Sequence, residues 1–134
     1  METPAALNNA TANHVTPRKT VVVFGAAWAT PTSALYEESV RLGRQLATQG
    51  FKLVNGGYGG TMEGSAKGAA DVPGSIREGV VVRALFPARP HGNEYLTHTV
   101  DTATLTARIE AMVVQADYFV VMPGAYYTRP HTCT

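Results

Sequence analysis

Residues 55–63 read Asn-Gly-Gly-Tyr-Gly-Gly-Thr-Met-Glu, which places four glycines within five consecutive positions. The segment follows a short apolar stretch, Phe51–Val54, that favours a β-strand, and it leads into Thr61–Ala70, which favours a helix. Glycines at such a junction let backbone amides approach an anion, and the helix N-terminus adds the positive end of its dipole. We therefore expect a phosphate-bearing ligand, with a tight turn that binds nothing as the alternative. The residues expected to hold the ligand are Gly56, Gly57, Gly59, Gly60 and Thr61.

The glycine pattern differs from two common nucleotide-binding motifs. It is not Gly-x-Gly-x-x-Gly, and no Gly-Lys-Ser or Gly-Lys-Thr follows it as in a Walker loop. The motif therefore gives no support for a dinucleotide-dependent dehydrogenase or an NTPase.

The rest of the chain alternates strand and helix patterns around this turn. Thr20–Phe24 is a β-branched run without polar alternation, as expected of a strand buried on both faces of a parallel sheet. Apolar residues recur at helical spacing in Ser33–Thr48 and Leu105–Ala116, and the apolar runs Gly79–Phe86 and Tyr118–Met122 predict a third and a fourth strand. We predict a Rossmann-like, three-layer α/β/α fold with an open parallel sheet and right-handed crossovers.

The predicted topology indicates where a ligand would bind. In an open parallel sheet the ligand crevice lies beyond the carboxyl ends of the strands. The turns that follow Phe24, Val54, Phe86 and Met122 are therefore expected to form the site, and Gly25 joins the predicted ligand-binding residues.

Composition and charge indicate a packed domain and argue against binding to nucleic acid or to a membrane. The 134 residues allow one domain, and 45% hydrophobic against 16% charged residues indicates a packed core over most of the length. Eleven basic against 10 acidic residues give a net charge of +1, which offers no field for nucleic acid or an anionic membrane. A single cysteine, Cys133, excludes an internal disulfide and favours a reducing, cytoplasmic location.

Two further features concern the chain termini and metal binding. Residues 1–17 have no apolar periodicity and are expected to form a flexible leader to a domain over residues 18–134. His91, His98 and His131 do not have metal-ligand spacing, so we predict no metal, and the expected chemistry requires no cofactor.

Three blocks of the sequence resemble the LONELY GUY, or lysine decarboxylase-like, family. Val21-Val-Val-Phe-Gly25 with Leu42-Gly-Arg-Gln-Leu-Ala47 is similar to the family's opening strand and helix. Gly56-Gly-Tyr-Gly-Gly-Thr-Met-Glu-Gly64 is similar to its first glycine motif. The stretch from Arg108 through Ala116-Asp117-Tyr-Phe-Val-Val-Met-Pro-Gly124 is similar to the approach to its second motif, Pro-Gly-Gly-x-Gly-Thr-x-x-Glu.

The resemblance implies a phosphoribohydrolase that releases the base of an N6-substituted adenine riboside 5′-monophosphate, leaving ribose 5-phosphate. It implies a homodimer, a role for Arg108 at the phosphate or the leaving base, and ligand contacts at Pro123, Gly124 and Thr128. Cleavage of the glycosidic bond passes through an oxocarbenium-like ribose that a carboxylate stabilises. Glu63 is the candidate because it is the carboxylate within a glycine motif of this chain, although it also fits a first-turn glutamate that complements the helix dipole.

The sequence departs from the family at the second motif. Without gaps, two motif glycines become Ala125 and Tyr127, and the closing glutamate becomes His131. The lysine beside the family's arginine is Ile109 here. We therefore expect a domain that is incomplete at its C-terminal side, with impaired activity and with open apolar surface on Phe119 and Val121.

Two alternatives to an active hydrolase stay open at the level of sequence. A broken second motif is compatible with a non-catalytic carrier of a nucleotide or of a phosphate-bearing cofactor. It is also compatible with an inert fragment that needs a longer partner chain.

Overall fold

The computed structural model describes residues 18–123. The predicted leader, Met1–Pro17, and the tail from Gly124 to Thr134 lie outside the described residues.

Within residues 18–123 the chain forms five strands and three helices, which alternate along the sequence except that β3 is followed directly by β4. The strands are β1 (Thr20–Phe24), β2 (Lys52–Asn55), β3 (Arg77–Val81), β4 (His98–Asp101) and β5 (Tyr118–Val121), and the helices are α1 (Ala34–Thr48), α2 (Thr61–Ala70) and α3 (Leu105–Gln115). Every strand pair is parallel, and the strand order across the sheet is β4-β3-β2-β1-β5. The predicted three-layer α/β/α architecture with an open parallel sheet is confirmed.

Helices cover both faces of the sheet. On one face α1 and α2 pack over Val21, Val23 and Leu53. On the other face Met112 of α3 packs over Val22, Val54 and Val80. β1 and β2 are buried between these two layers, which explains why they have no polar alternation.

Small residues set the spacing between α1 and α2. A Cβ atom on Gly43 of α1 would lie 1.9 Å from the carbonyl oxygen of Ser65 in α2. The two helix backbones therefore approach more closely than any larger residue at position 43 would allow. This close contact positions the N-terminus of α2 and the glycine-rich turn before it.

The structure corrects two strand predictions. The third strand is Arg77–Val81 rather than Gly79–Phe86, because the backbone N–H groups of Leu85 and Phe86 both donate to the Val82 carbonyl and close a turn. The strand β4 was not predicted at all. Its sequence, His-Thr-Val-Asp, contains a single apolar residue and lies largely exposed at the sheet edge, so it lacks the apolar run of a buried strand.

A buried carboxylate links three strands and a helix at the amino ends of the strands. Glu78 of β3 is 5% exposed, and its Oε1 lies 3.0 Å from Lys52 Nζ and 2.9 Å from His98 Nε2. Gln115 Nε2, at the end of α3, donates to Glu78 Oε2 at 2.7 Å. We call these four side chains the Glu78 cluster, and it lies at the end of the sheet opposite the carboxyl ends of the strands.

Candidate functional site

The carboxyl ends of β1, β2 and β3 border a cleft with two adjoining cavities. The first cavity has a volume of about 180 Å³ and lies between β1 and α3. The second has a volume of about 290 Å³ and extends toward the segment after β3. Ala27, Met62 and Arg108 line both cavities and therefore form their common wall. The cleft lies where the topology of an open parallel sheet predicts a ligand site.

The glycine-rich turn is held by the side chain of Asn55 at the end of β2. The buried Asn55 amide oxygen accepts a hydrogen bond from Gly57 N at 2.8 Å. Its Nδ2 donates to the Met62 carbonyl at 2.9 Å and to Ser65 Oγ at 3.1 Å. One side chain thus fixes both the start of the turn and the first turn of α2, so the turn is ordered before any ligand arrives.

Glycine is required where the turn meets the loop after β1. Gly60 has a φ of +69°, and a Cβ atom there would lie 2.1 Å from the Ala26 carbonyl oxygen. Thr61 N donates to that same carbonyl at 3.0 Å. On the other side of this contact, a Cβ atom on Gly25 would lie 2.0 Å from Thr61 Oγ1. The loop after β1 and the N-terminus of α2 are therefore in direct backbone contact.

The predicted phosphate-binding residues fall into two groups. Gly25, Gly56 and Gly59 line the cleft. The other three do not line the cleft and instead pack the turn against neighbouring segments. Gly57 packs on Val81 of β3, and Gly60 and Thr61 contact the Ala26 carbonyl. The Thr61 hydroxyl is buried and has no hydrogen-bond partner among the described residues.

Arg108 projects from the first part of α3 into the cleft wall. The helix begins at Thr104, whose hydroxyl accepts from Ala107 N at 3.0 Å and so fixes the orientation of this turn. Arg108 Nη1 makes a 3.4 Å contact with the Gly56 carbonyl, and its Nε is buried without a hydrogen-bond partner among the described residues. Burial lowers the pKa of Arg108 from its ordinary value, which reflects a guanidinium that has lost solvent without gaining a carboxylate.

The charged side chains that line the cleft are all basic within the described residues. Arg108 and Arg89 line it, and no Asp or Glu is among the lining residues described between 18 and 123. A cationic, partly desolvated wall next to a glycine-rich turn stabilises a bound anion.

Glu63, the predicted ribose-facing carboxylate, is not among the residues that line the cleft with Arg108. Its Oε2 accepts a 2.7 Å hydrogen bond from the hydroxyl of Tyr36 in α1. Burial, reinforced by this contact with Glu63, raises the pKa of Tyr36 above its ordinary value. The structure thus assigns Glu63 a contact between α1 and α2, and its catalytic role stays a prediction.

The remaining predicted residues lie at the other side of β1 or beyond the described chain. Pro123 borders a separate groove between α1 and β5. Gly124 and Thr128 lie outside residues 18–123.

Five residues that line the second cavity were not predicted from the sequence. They are Ala27, Tyr58, Met62, Phe86 and Arg89. A signal for them was present, since Tyr58 and Met62 lie in the glycine-rich segment and Phe86 was expected to precede a site-forming turn. These residue types are equally compatible with packing in a hydrophobic core.

The described part of the chain lacks two features that would indicate a metalloprotein or a membrane-spanning protein. No group of three or more His, Cys, Asp or Glu side chains between residues 18 and 123 is arranged to hold a metal ion. Over the same range, no helix has the length and apolar character needed to cross a bilayer.

Residues 18–128 match the SLOG cluster4 family. The chain belongs to this family. An uncharacterized protein from Archaeoglobus fulgidus is 33% identical over 93 residues, which is 69% of this chain and 58% of that protein. The X-ray structure of TM1055 is similar with a TM-score of 0.66 at 31% identity, covering 77% of this chain and 59% of TM1055.

Two solved structures with lower identity share the fold. The molybdenum cofactor binding protein from the phototrophic bacterium Rippkaea orientalis has a TM-score of 0.66 at 24% identity, covering 79% of this chain and 63% of its own. The molybdenum cofactor carrier protein from Chlamydomonas reinhardtii has a TM-score of 0.64 at 23% identity, covering 79% and 62%. The chain therefore spans about three fifths of the length of these relatives. The resemblance noted in the sequence is confirmed at the level of the SLOG-type fold.

Proposed function

We propose that this SLOG cluster4 protein binds a phosphate-bearing, nucleotide-like ligand in the cleft between the glycine-rich turn and α3. The observation that carries the proposal is the Arg108 guanidinium, whose Nε is buried without a partner beside the Gly56 backbone. A buried guanidinium N–H without an acceptor is unfavourable, and a phosphate oxygen supplies both an acceptor and an opposite charge. The ordered turn contributes its backbone without further reorganisation.

A carrier or binding function without turnover fits the cleft better than hydrolysis. Stabilising an oxocarbenium-like ribose requires a carboxylate near the reacting carbon. The cleft-lining residues described between 18 and 123 include no Asp or Glu, and Glu63 is held by Tyr36. Two proteins of similar fold are named as binding or carrying the molybdenum cofactor, a phosphate-bearing small molecule, which supports the same interpretation.

Hydrolysis of a purine riboside 5′-monophosphate is the second candidate. Its support is the sequence resemblance to the LONELY GUY family around the first glycine motif and Arg108. In that mechanism Arg108 would bind the phosphate or the leaving base, and binding energy at the phosphate would stabilise the transition state.

Ligand binding is tested by titrating the full chain with inorganic phosphate, ribose 5-phosphate and AMP while following thermal stability. A ligand that binds only the folded state raises the melting temperature by mass action. We expect stabilisation by the phosphate compounds and a loss of affinity of about tenfold or more in Arg108→Gln. Arg44→Gln is the matched control, because Arg44 pairs with Asp71 at 3.0 Å on the exposed outer side of α1 and α2. Equal affinities in the wild type and Arg108→Gln would rule the proposal out.

A turnover assay distinguishes the carrier function from the hydrolase. The protein is incubated with AMP and N6-substituted AMP, and free base and ribose 5-phosphate are sought by chromatography. Stabilisation without product selects the carrier function, whereas product release selects the hydrolase. If no phosphate compound stabilises the chain, the inert-fragment alternative is selected.

A further inference from the structure

The second cavity of the cleft has an aromatic wall that the phosphate site does not use. Tyr58 and Phe86 line this cavity, with ring centroids 4.6 Å apart and an interplanar angle of 50°. Tyr58 is buried, whereas Phe86 is 42% exposed. Because β3 ends at Val81, Phe86 belongs to the turn that follows the strand. This turn lies at the carboxyl ends of the strands, as the glycine-rich turn does.

Arg89 adds a planar cation to the same wall. Its guanidinium carbon lies 5.9 Å from the centroid of the Tyr58 ring, within the range of a cation–π contact. A Cβ atom on Gly59 would lie 3.7 Å from Arg89 Nη1, so the guanidinium also adjoins the glycine-rich turn. A guanidinium stacks on planar aromatic groups in a way that a lysine ammonium does not.

Hydrogen bonds fasten this wall to the phosphate site. The Tyr58 hydroxyl accepts from Val82 N at 2.9 Å, at the start of the turn that bears Phe86. Asn93, after Arg89, donates from its backbone N to the Gly57 carbonyl at 2.8 Å and from Nδ2 to the Tyr58 carbonyl at 3.0 Å. Both ends of the segment between β3 and Asn93 are therefore tied to the glycine-rich turn, and the wall is positioned without a ligand.

We propose that Tyr58, Phe86 and Arg89 form a second subsite that takes the planar heteroaromatic ring of the ligand whose phosphate binds at Arg108. This inference rests on the proposed function and adds the chemical class of the ligand's second group, a planar heteroaromatic ring. The cavity of about 290 Å³ has apolar contributions from Ala27, Met62 and the two aromatic rings, which favour a ring over a second phosphate. Arg108 lines both cavities, so one ligand can occupy both at once.

The test compares ligands that differ by the ring. Affinities of AMP, ribose 5-phosphate and adenosine are measured by calorimetric titration on the full chain. We expect AMP to bind about tenfold or more tightly than ribose 5-phosphate, a difference typical of one base stacked on an aromatic side chain. Phe86→Ala should reduce this difference, weaken adenosine, and leave the affinity for ribose 5-phosphate unchanged.

Two further variants make the test specific. Leu85→Ala is the matched control, since Leu85 is 52% exposed in the same turn and is not among the residues lining the cavity. Arg89→Lys keeps the charge and loses the planar stack, so it should also reduce the preference for AMP. An unchanged preference for AMP in Phe86→Ala, or a preference kept in full by Arg89→Lys, would overturn the ring subsite while leaving phosphate binding intact. Failure of every phosphate compound to bind the wild type would remove the proposed function, and adenosine binding would still report on the ring subsite.

Discussion

Arg108 and Glu63 show how the environment of a residue changes an interpretation based on its type. Both were singled out in the sequence, one by resemblance and one because it is a carboxylate in a glycine motif. Arg108 lines the cleft with a buried, unpartnered Nε, whereas Glu63 accepts a hydrogen bond from Tyr36 between two helices. Adjacent positions on α2 point in different directions, so Met62 reaches the cleft and Glu63 contacts α1.

Gly59 and Gly60 offer a matched pair for testing the turn. A Cβ atom on Gly60 would lie 2.1 Å from the Ala26 carbonyl oxygen at a φ of +69°, whereas one on Gly59 would meet only Arg89 Nη1, at 3.7 Å. We expect Gly60→Ala to lower the free energy of unfolding by about 1–3 kcal/mol and Gly59→Ala to change it by less than about 0.5 kcal/mol. Chemical denaturation of both variants measures the difference, and equal stabilities would contradict the turn geometry.

At the level of elements, the Glu78 cluster joins β2, β3, β4 and the end of α3 through one buried carboxylate. Burial alone would raise the pKa of Glu78, but hydrogen bonds from Gln115, Lys52 and His98 and the charge of Lys52 outweigh it and hold the pKa below its ordinary value. A carboxyl whose pKa is lower in the folded state stabilises the fold above its unfolded pKa, and this contribution is lost as the pH falls through the folded value.

We expect Glu78→Gln to lower the free energy of unfolding by about 1–3 kcal/mol at pH 7. The difference from the wild type should shrink as the pH falls below about 4.5, the ordinary value for a glutamate, because the wild-type carboxyl then becomes protonated. Urea denaturation of both proteins between pH 7 and pH 3 measures this. Glu38→Gln, at an exposed position of α1, is the control. A stability difference independent of pH would contradict the assigned ionic contacts.

The elements that could be predicted from the sequence are those whose burial leaves a periodic pattern. β1 and α1 have such patterns, and the predicted bounds Thr20–Phe24 and Ser33–Thr48 agree with the structure, with Ser33 as the helix N-cap. β4 is held by backbone pairing to β3 and has only Val100 as an apolar residue, so no local signal marks it. The second cavity was missed for a related reason, since Tyr58 and Phe86 meet only through tertiary contacts.

On the scale of the whole molecule, one apolar surface is left open beside α3. Phe119 and Val121 of the edge strand β5 are 48% and 47% exposed, which confirms the expectation from the sequence. Their pairing with Val22 and Phe24 places them on the sheet face that α3 covers. Leu105, Ile109 and Val113 follow at intervals of four on α3 and are also exposed, and Ile109 borders the first cavity of the cleft. An apolar surface of this kind favours association.

We expect the chain to form a homodimer through this surface, as the sequence resemblance implies. Val113 and Val114 offer a matched pair of positions for testing this surface, because neighbouring residues of a helix point about 100° apart. Val113 is 46% exposed and continues the row of Leu105 and Ile109, whereas Val114 is 81% exposed and lies off that row. Val113→Lys should therefore weaken association about tenfold or more by burying an unpaired charge at the interface, whereas Val114→Lys should leave it unchanged. Sedimentation velocity over a concentration series measures both variants. A wild-type chain that stays monomeric at the highest concentration, or a dimer that Val113→Lys does not weaken, would show that this surface does not mediate self-association.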